Sequence, residues 1–136
     1  MGRKAITIEQ LRDEVQQILN DYELDVEKVL EKTTKVYAKI AVRELRQDSP
    51  VGKGTPKAGA YSKGWGYKYS KKKSRMGSTI GTVTYNYAAP SLTHLLEHGH
   101  ALRQGGRSPA ITHIKPVEES VTKEFESTVI DELEDL

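Results

Sequence analysis

The residues of this chain with the most obvious chemical potential lie in the run His94-Leu95-Leu96-Glu97-His98. Two histidines four apart share one face of a helix and could both ligate zinc, with Glu97 between them as general base. This is the inverted form of the zinc-hydrolase motif. His100 follows at once. Against a zinc hydrolase, the pattern is only five residues long, and Gly99 would stop the helix directly after the second ligand. A third ligand would have to come from His113 or from a carboxylate of the first helix or the acidic tail. A short helix end that happens to be rich in histidine is the simpler expectation. Other chemistries find less support. No serine sits in a Gly-x-Ser-x-Gly elbow, and there is no cysteine to serve as nucleophile, thiolate ligand or disulfide. Gly59 and Gly64 have the step of a phosphate-binding loop, but Trp65 stands where the lysine must be. The expectation is therefore no catalytic residue, no metal and no cofactor.

The second candidate is electrostatic. Residues 49–116 carry eleven bases and one acid, Glu97, so that this segment is +10, whereas residues 1–48 are −1 and residues 117–136 are −7. Ten of the bases form the candidate surface for a partner or for DNA: Lys53, Lys57, Lys63, Lys68, Lys71, Lys72, Lys73, Arg75, Arg103 and Arg107. Charge sorted in this way steers a molecule toward a polyanion, or toward copies of itself that offer the opposite end. Trp65, Tyr67 and Tyr69 interleave with the lysines, as stacking rings do in proteins that hold single-stranded nucleic acid. Such binding would weaken with salt. The simpler placement puts the rings beneath the helices. The lysines then face a nucleic acid, face an acidic partner, or only border solvent.

The elements that must position these residues follow from periodicity. Thr7 and Gln10 fit a capping box. Apolar residues then recur at Leu11, Val15, Ile18, Tyr22, Val26, Val29, Val36, Ile40 and Leu45, which predicts one helical stripe over 7–47. It belongs either to one long helix or to two that meet near Asn20–Asp25, where helix propensity is weak. Ser49-Pro50 stops it. A glycine- and proline-rich loop follows over 49–64. Period-two alternation predicts a hairpin over 65–87, with a basic turn from Lys71 to Gly77 and with Val83, Tyr85 and Tyr87 on one face. A short helix over 91–98, ended by Gly99, leads into a second, mobile loop over 99–115. Pro116 suits the first position of a last helix, 116–135, burying Val117, Val121, Phe125, Val129 and Leu133. The fold class is α+β: a long N-terminal helix, straight or bent, and a C-terminal helix on a small antiparallel sheet, with two long loops.

Composition bounds the rest. A chain of 136 residues is one domain by length. Its hydrophobic share of 36% and mean hydropathy of −0.62 mean a thin core or one completed by neighbours. No apolar run approaches the roughly 20 residues that span a bilayer. No secretion signal opens the chain, and Ile6 stands where a myristoylation motif wants Ser or Thr. The expected setting is cytosolic.

Three segments, in this order, resemble the tail-completion or head–tail joining proteins of tailed bacteriophages. They are Leu45-Arg46-Gln47-Asp48-Ser49-Pro50-Val51 leading to Gly59-Ala60-Tyr61-Ser62-Lys63-Gly64-Trp65, then Tyr87-Ala88 leading to Leu95-Leu96-Glu97-His98-Gly99-His100, then Pro109 to Pro116 before the last helix. The resemblance covers about residues 30–135. The chain departs from the pattern in Gly52–Ala58, which is longer and more basic, and in Ile114, where the family carries an aromatic. The resemblance implies a non-enzymatic structural protein of the virion neck, assembled in the host cytoplasm. Its copies would form a ring, sixfold by that likeness, between the capsid connector or stopper and the tail terminator and tail tube, with DNA passing through the lumen and no membrane involved. It implies a structural turn at Glu97, His98 and Gly99: Leu95 and Leu96 pack under the sheet, Glu97 accepts hydrogen bonds from a loop backbone, and Gly99 turns the chain. The competing readings are a small nucleic-acid-binding domain that uses the basic hairpin 63–75 and, more remotely, a zinc hydrolase through His94, Glu97 and His98.

Overall fold

The computed structural model describes residue 5, residues 7–52, residue 54 and residues 58–136. Helix α1 runs unbroken from Ile8 to Asp48, 41 residues. It opens on the expected capping box, with Thr7 and Gln10 each accepting the other's backbone N–H. The weak stretch near Asn20 does not divide it. Gln16 donates to Asn20 and Gln17 to Asp21, one turn apart, which offsets a propensity cost of a few tenths of a kcal/mol per residue (~0.5). At the far end Ser49 turns extended, as the residue before proline must, and its hydroxyl accepts the indole N–H of Trp65 at 2.8 Å. Arg46 donates to the Trp65 carbonyl, so the end of α1 is tied to the start of the sheet.

Helix α2, Ala60–Lys63, lies inside the stretch expected to be loop. Tyr61 and Ser62 on it are buried. Strands β1, Trp65–Ser74, and β2, Gly77–Asn86, pair antiparallel from Trp65↔Asn86 to Ser74↔Gly77. The basic turn expected over 71–77 is thus mostly strand, and only Arg75 and Met76 form the turn. Helix α3, Leu92–His98, and helix α4, Ile114–Glu134, complete the chain.

The C-terminal half of α1 is the shared support. The inner face of the hairpin and α4 both pack on it, and an open groove of about 520 Å³ separates β2 from α4. Val42, Leu45, Tyr61, Trp65 and Val117 form the core, with Leu96, Ile114 and Val121 against it. Of the expected apolar stripe, Leu11, Val15, Ile18 and Tyr22 are exposed, and two further positions are corrected. Val36 is exposed, because the buried face of α1 runs through Thr34, Ala38, Val42 and Leu45. Leu95 is exposed too, and only Leu96 of that pair packs inward. The hairpin lies along α1 with its tip at Glu27, which accepts bonds from Ser78 and Lys71. Before Glu27, residues 8–25 project beyond the domain and are exposed throughout.

Candidate functional site

The expected histidine-rich helix end is α3, with His94 and His98 one turn apart on it. Both histidines face an open groove between α3 and α4, their rings 4.8 Å apart. Glu97 lines the floor of the same groove, buried against the start of α4. Its Oε2 accepts the backbone N–H of His113 at 2.8 Å and of Ile114 at 2.9 Å, and its Oε1 that of Lys115 at 3.0 Å. Those are the free donors of the first turn of α4. Pro116, the next residue, has none to offer. A carboxylate from α3 therefore caps α4 from outside, and this explains why α4 begins at Ile114 and not at Pro116 as expected. Burial pushes the Glu97 carboxyl up. The amides of Ile114, His113 and Lys115 outweigh that and hold it below its ordinary range. Among the described residues no group of three or more histidines and carboxylates is arranged to hold a metal ion.

The same cap organises a buried chain of polar groups. His113 is 2% exposed. Its Nδ1 lies 2.7 Å from the Ile111 carbonyl and 3.1 Å from Glu97, and its Nε2 lies 2.7 Å from the Tyr61 hydroxyl. A proton on Nδ1 satisfies every member: Nδ1–H donates to Ile111, and Nε2 accepts from Tyr61. Burial, with Glu97 nearby, pushes the Tyr61 phenol up to about 12. Tyr61, Trp65 and His113 meet edge to face with centroids 5.6–6.3 Å apart. A Tyr-His-Glu chain is the material of a proton relay, but this one is closed off from solvent at each member. It joins α2, α3, β1 and α4. Asn86 works beside it, donating to the Tyr61 carbonyl and accepting from Ala88 and Ala89.

Gly99 turns the chain as expected, but at φ 74 and ψ 171, outside the left-handed helical well. A Cβ there would lie 2.5 Å from the Ser108 carbonyl oxygen. His98 beside it is exposed. The loop expected to be mobile is closed by its own bonds. Ser108 N–H donates to the His100 carbonyl, His100 N–H donates to Ser108 Oγ, and Ala101 bridges Arg107.

The basic candidates divide by strand parity. Trp65, Tyr67, Tyr69 and Lys71 share the inner face of β1, so the three rings lie beneath the sheet, against α1. Lys71 is a correction to the partner-facing set. It reaches back to Glu31 at 2.6 Å and Glu27 at 3.2 Å. Bonds to Glu31 and Glu27 hold it above the ordinary lysine range, and both carboxyls are lowered in turn, Glu27 chiefly by Ser78 and Glu31 chiefly by Lys71. Lys68 and Lys72 point outward, with Lys68 5.7 Å above the Tyr85 ring. Lys63, Lys73, Arg75 and Arg103 are exposed. Arg107 donates to the Gly99 carbonyl and so helps to close its own loop. Lys53 and Lys57 lie outside the described residues.

Two features escape the sequence reading. One is the uncovered state of α1 before Glu27, since periodicity reports a stripe and not what covers it. The other is the burial of His113, for which the only signal is its place just before a helix start.

No protein-family model matches the chain, and neither a curated protein nor a solved structure is significantly similar to it.

Proposed function

We propose that this protein is a non-enzymatic assembly subunit whose copies form a ring in the neck of a tailed phage, between the capsid connector and the tail tube, with DNA in the lumen. The observation that carries the reading is the projecting half of α1. Ile8, Leu11, Val15, Ile18 and Tyr22 are all exposed on it. An isolated helix of about this length is marginal in water, and most helical stability comes from packing an apolar face. A chain that extends such a helix past its own domain supplies half of an interface. The sorted charge and the resemblance in three segments agree with this. So does the engagement of Glu97 in a helix cap, which removes the base that a zinc hydrolase would need.

The nucleic-acid reading keeps one specific support: Lys68, Lys72, Lys73 and Arg75 are exposed and make no ion pair among the described residues. One experiment separates the two. Mass measurement on purified protein, alone and mixed with connector and tail-tube proteins, is expected to find closed rings of one copy number. In infected cells lacking the protein, DNA-filled heads and free tails are expected to accumulate separately. A chain that stays monomeric in every mixture, yet binds DNA as a monomer, refutes the ring.

A further inference from the structure

We propose that the projecting half of α1 from one copy lies across the outer face of the hairpin of the next copy. This deepens the ring reading and rests on it. Three properties of the two surfaces match. The first is length. Residues 8–25 make about 27 Å of helix, at about 1.5 Å per residue. The strands are ten residues each, about 33 Å. The second is apolar content. The inner face of the sheet is covered by α1, while the outer face carries Val83 at 65% and Tyr87 at 60% exposed, with Tyr85 between them. Apolar side chains on the second face of a two-stranded sheet call for a covering layer. The third is charge. Residues 7–25 hold six acids and one base, net −5. Residues 63–75 hold six bases and no acid; Lys68 and Lys72 lie on the outer face itself, and among the described residues only Lys71 of the six is ion-paired.

The geometry makes the contact one between copies. The hairpin tip is fixed at Glu27, and the outer face is turned away from α1, so a straight helix cannot fold back onto its own sheet. Pairing two projecting helices with each other would bring two −5 segments together, whereas helix on hairpin joins opposite charges and sets register. Each copy offers one helix and one hairpin face. The contact therefore joins unlike surfaces, and repeated head to tail it builds a ring where the rotation closes.

The chain has no cysteine, so single cysteines report neighbours cleanly. Protein carrying Ile18→Cys is mixed with protein carrying Val83→Cys and oxidised at high concentration. A disulfide between the two variants is expected to dominate. Predominant Ile18–Ile18 linkage, or none above the level of an exposed control, overturns the contact. In parallel, Lys68→Glu with Lys72→Glu is expected to weaken self-association about tenfold at low salt, and adding Glu14→Lys with Asp21→Lys to the same chain is expected to restore it. Circular dichroism checks that each variant is folded. Rings that persist through the lysine reversal overturn this contact and leave the ring reading standing. A reciprocal dimer with the mixed disulfide supports the contact and sinks the ring. Loss of DNA retention on lysine reversal with no change in assembly mass assigns the face to nucleic acid and overturns the proposal.

Discussion

Replacing Glu97 by Gln tests the external cap with almost no change in shape. The carboxylate accepts three amide N–H groups, two on Oε2 and one on Oε1. Glutamine keeps one acceptor. Placed at the Oε2 position, its oxygen retains His113 and Ile114, and its NH₂ then meets the Lys115 N–H donor to donor. The loss is one hydrogen bond to a charged group, about 1.5–3 kcal/mol, plus the attraction of a negative charge for a helix N-terminus, about 0.3–1 kcal/mol. A total of about 3 kcal/mol is expected at pH 7, read in urea as a fall in midpoint of about 1.5 M with an unchanged slope. The pH dependence gives a second, independent reading. Glu97 in the folded protein lies below its reference value of 4.5. Its contribution is therefore fully present above pH 4.5 and is lost as pH falls through the folded value. Protonated Glu97 resembles glutamine, so the gap between the two proteins should close in acid. A gap under about 1 kcal/mol at pH 7, or one that stays constant as pH is lowered through the range in which both remain folded, would refute the cap as a source of stability.

Two further outcomes follow from the same region. Gly99→Ala places a Cβ 2.5 Å from the Ser108 carbonyl at a positive φ, and chemical denaturation should register a loss of about 1–3 kcal/mol; a neutral substitution would mean that the turn relaxes freely. Tyr61→Phe leaves His113 Nε2 without its donor and should cost about 1–3 kcal/mol at neutral pH. The raised phenol, at about 12 against 10.0, means that its contribution is intact below pH 10 and fades as pH rises through about 12, so ultraviolet titration should find a tyrosine step near pH 12 in the wild type that is missing from the variant, with ionisation near pH 10 unchanged.

The capping box at Thr7, the stop at Ser49-Pro50, the hairpin and the turn at Gly99 were legible because each rests on a local rule. So was a backbone partner for Glu97, through the resemblance. What failed had non-local causes. Strand parity puts Lys71 with Trp65, Tyr67 and Tyr69, but a turn placed at Lys71 hides that parity, and the pairing with Glu27 and Glu31 joins residues forty apart. Pro116 is a good first helical residue, but a carboxylate from another helix lets the turn begin two residues sooner. Thr33 and Thr34 are buried where apolar periodicity favoured Val36. Threonine carries a methyl group that packs like valine's, and a stripe defined by strict hydrophobicity passes over it.

The pairing of Lys71 also bears on how the exposed surfaces are presented. A two-stranded hairpin is marginal by itself, and its tip would wander if nothing held it. Lys71 and Ser78, one from each strand, converge on Glu27, with Glu31 as a second acceptor for Lys71. The lowered carboxyls and raised lysine keep this junction charged across the neutral range. It is fully present between pH 4.5 and 10.5, and is lost as pH falls through the folded values of Glu27 and Glu31 or rises through the raised folded value of Lys71. With the tip anchored, the place where α1 leaves its own sheet and the direction of the outer hairpin face are set by one cluster. Two surfaces held at a fixed angle require less ordering on association than two that move independently. Lys71, turned inward by strand parity, thus fixes the geometry in which the outward lysines, Lys68 and Lys72, act.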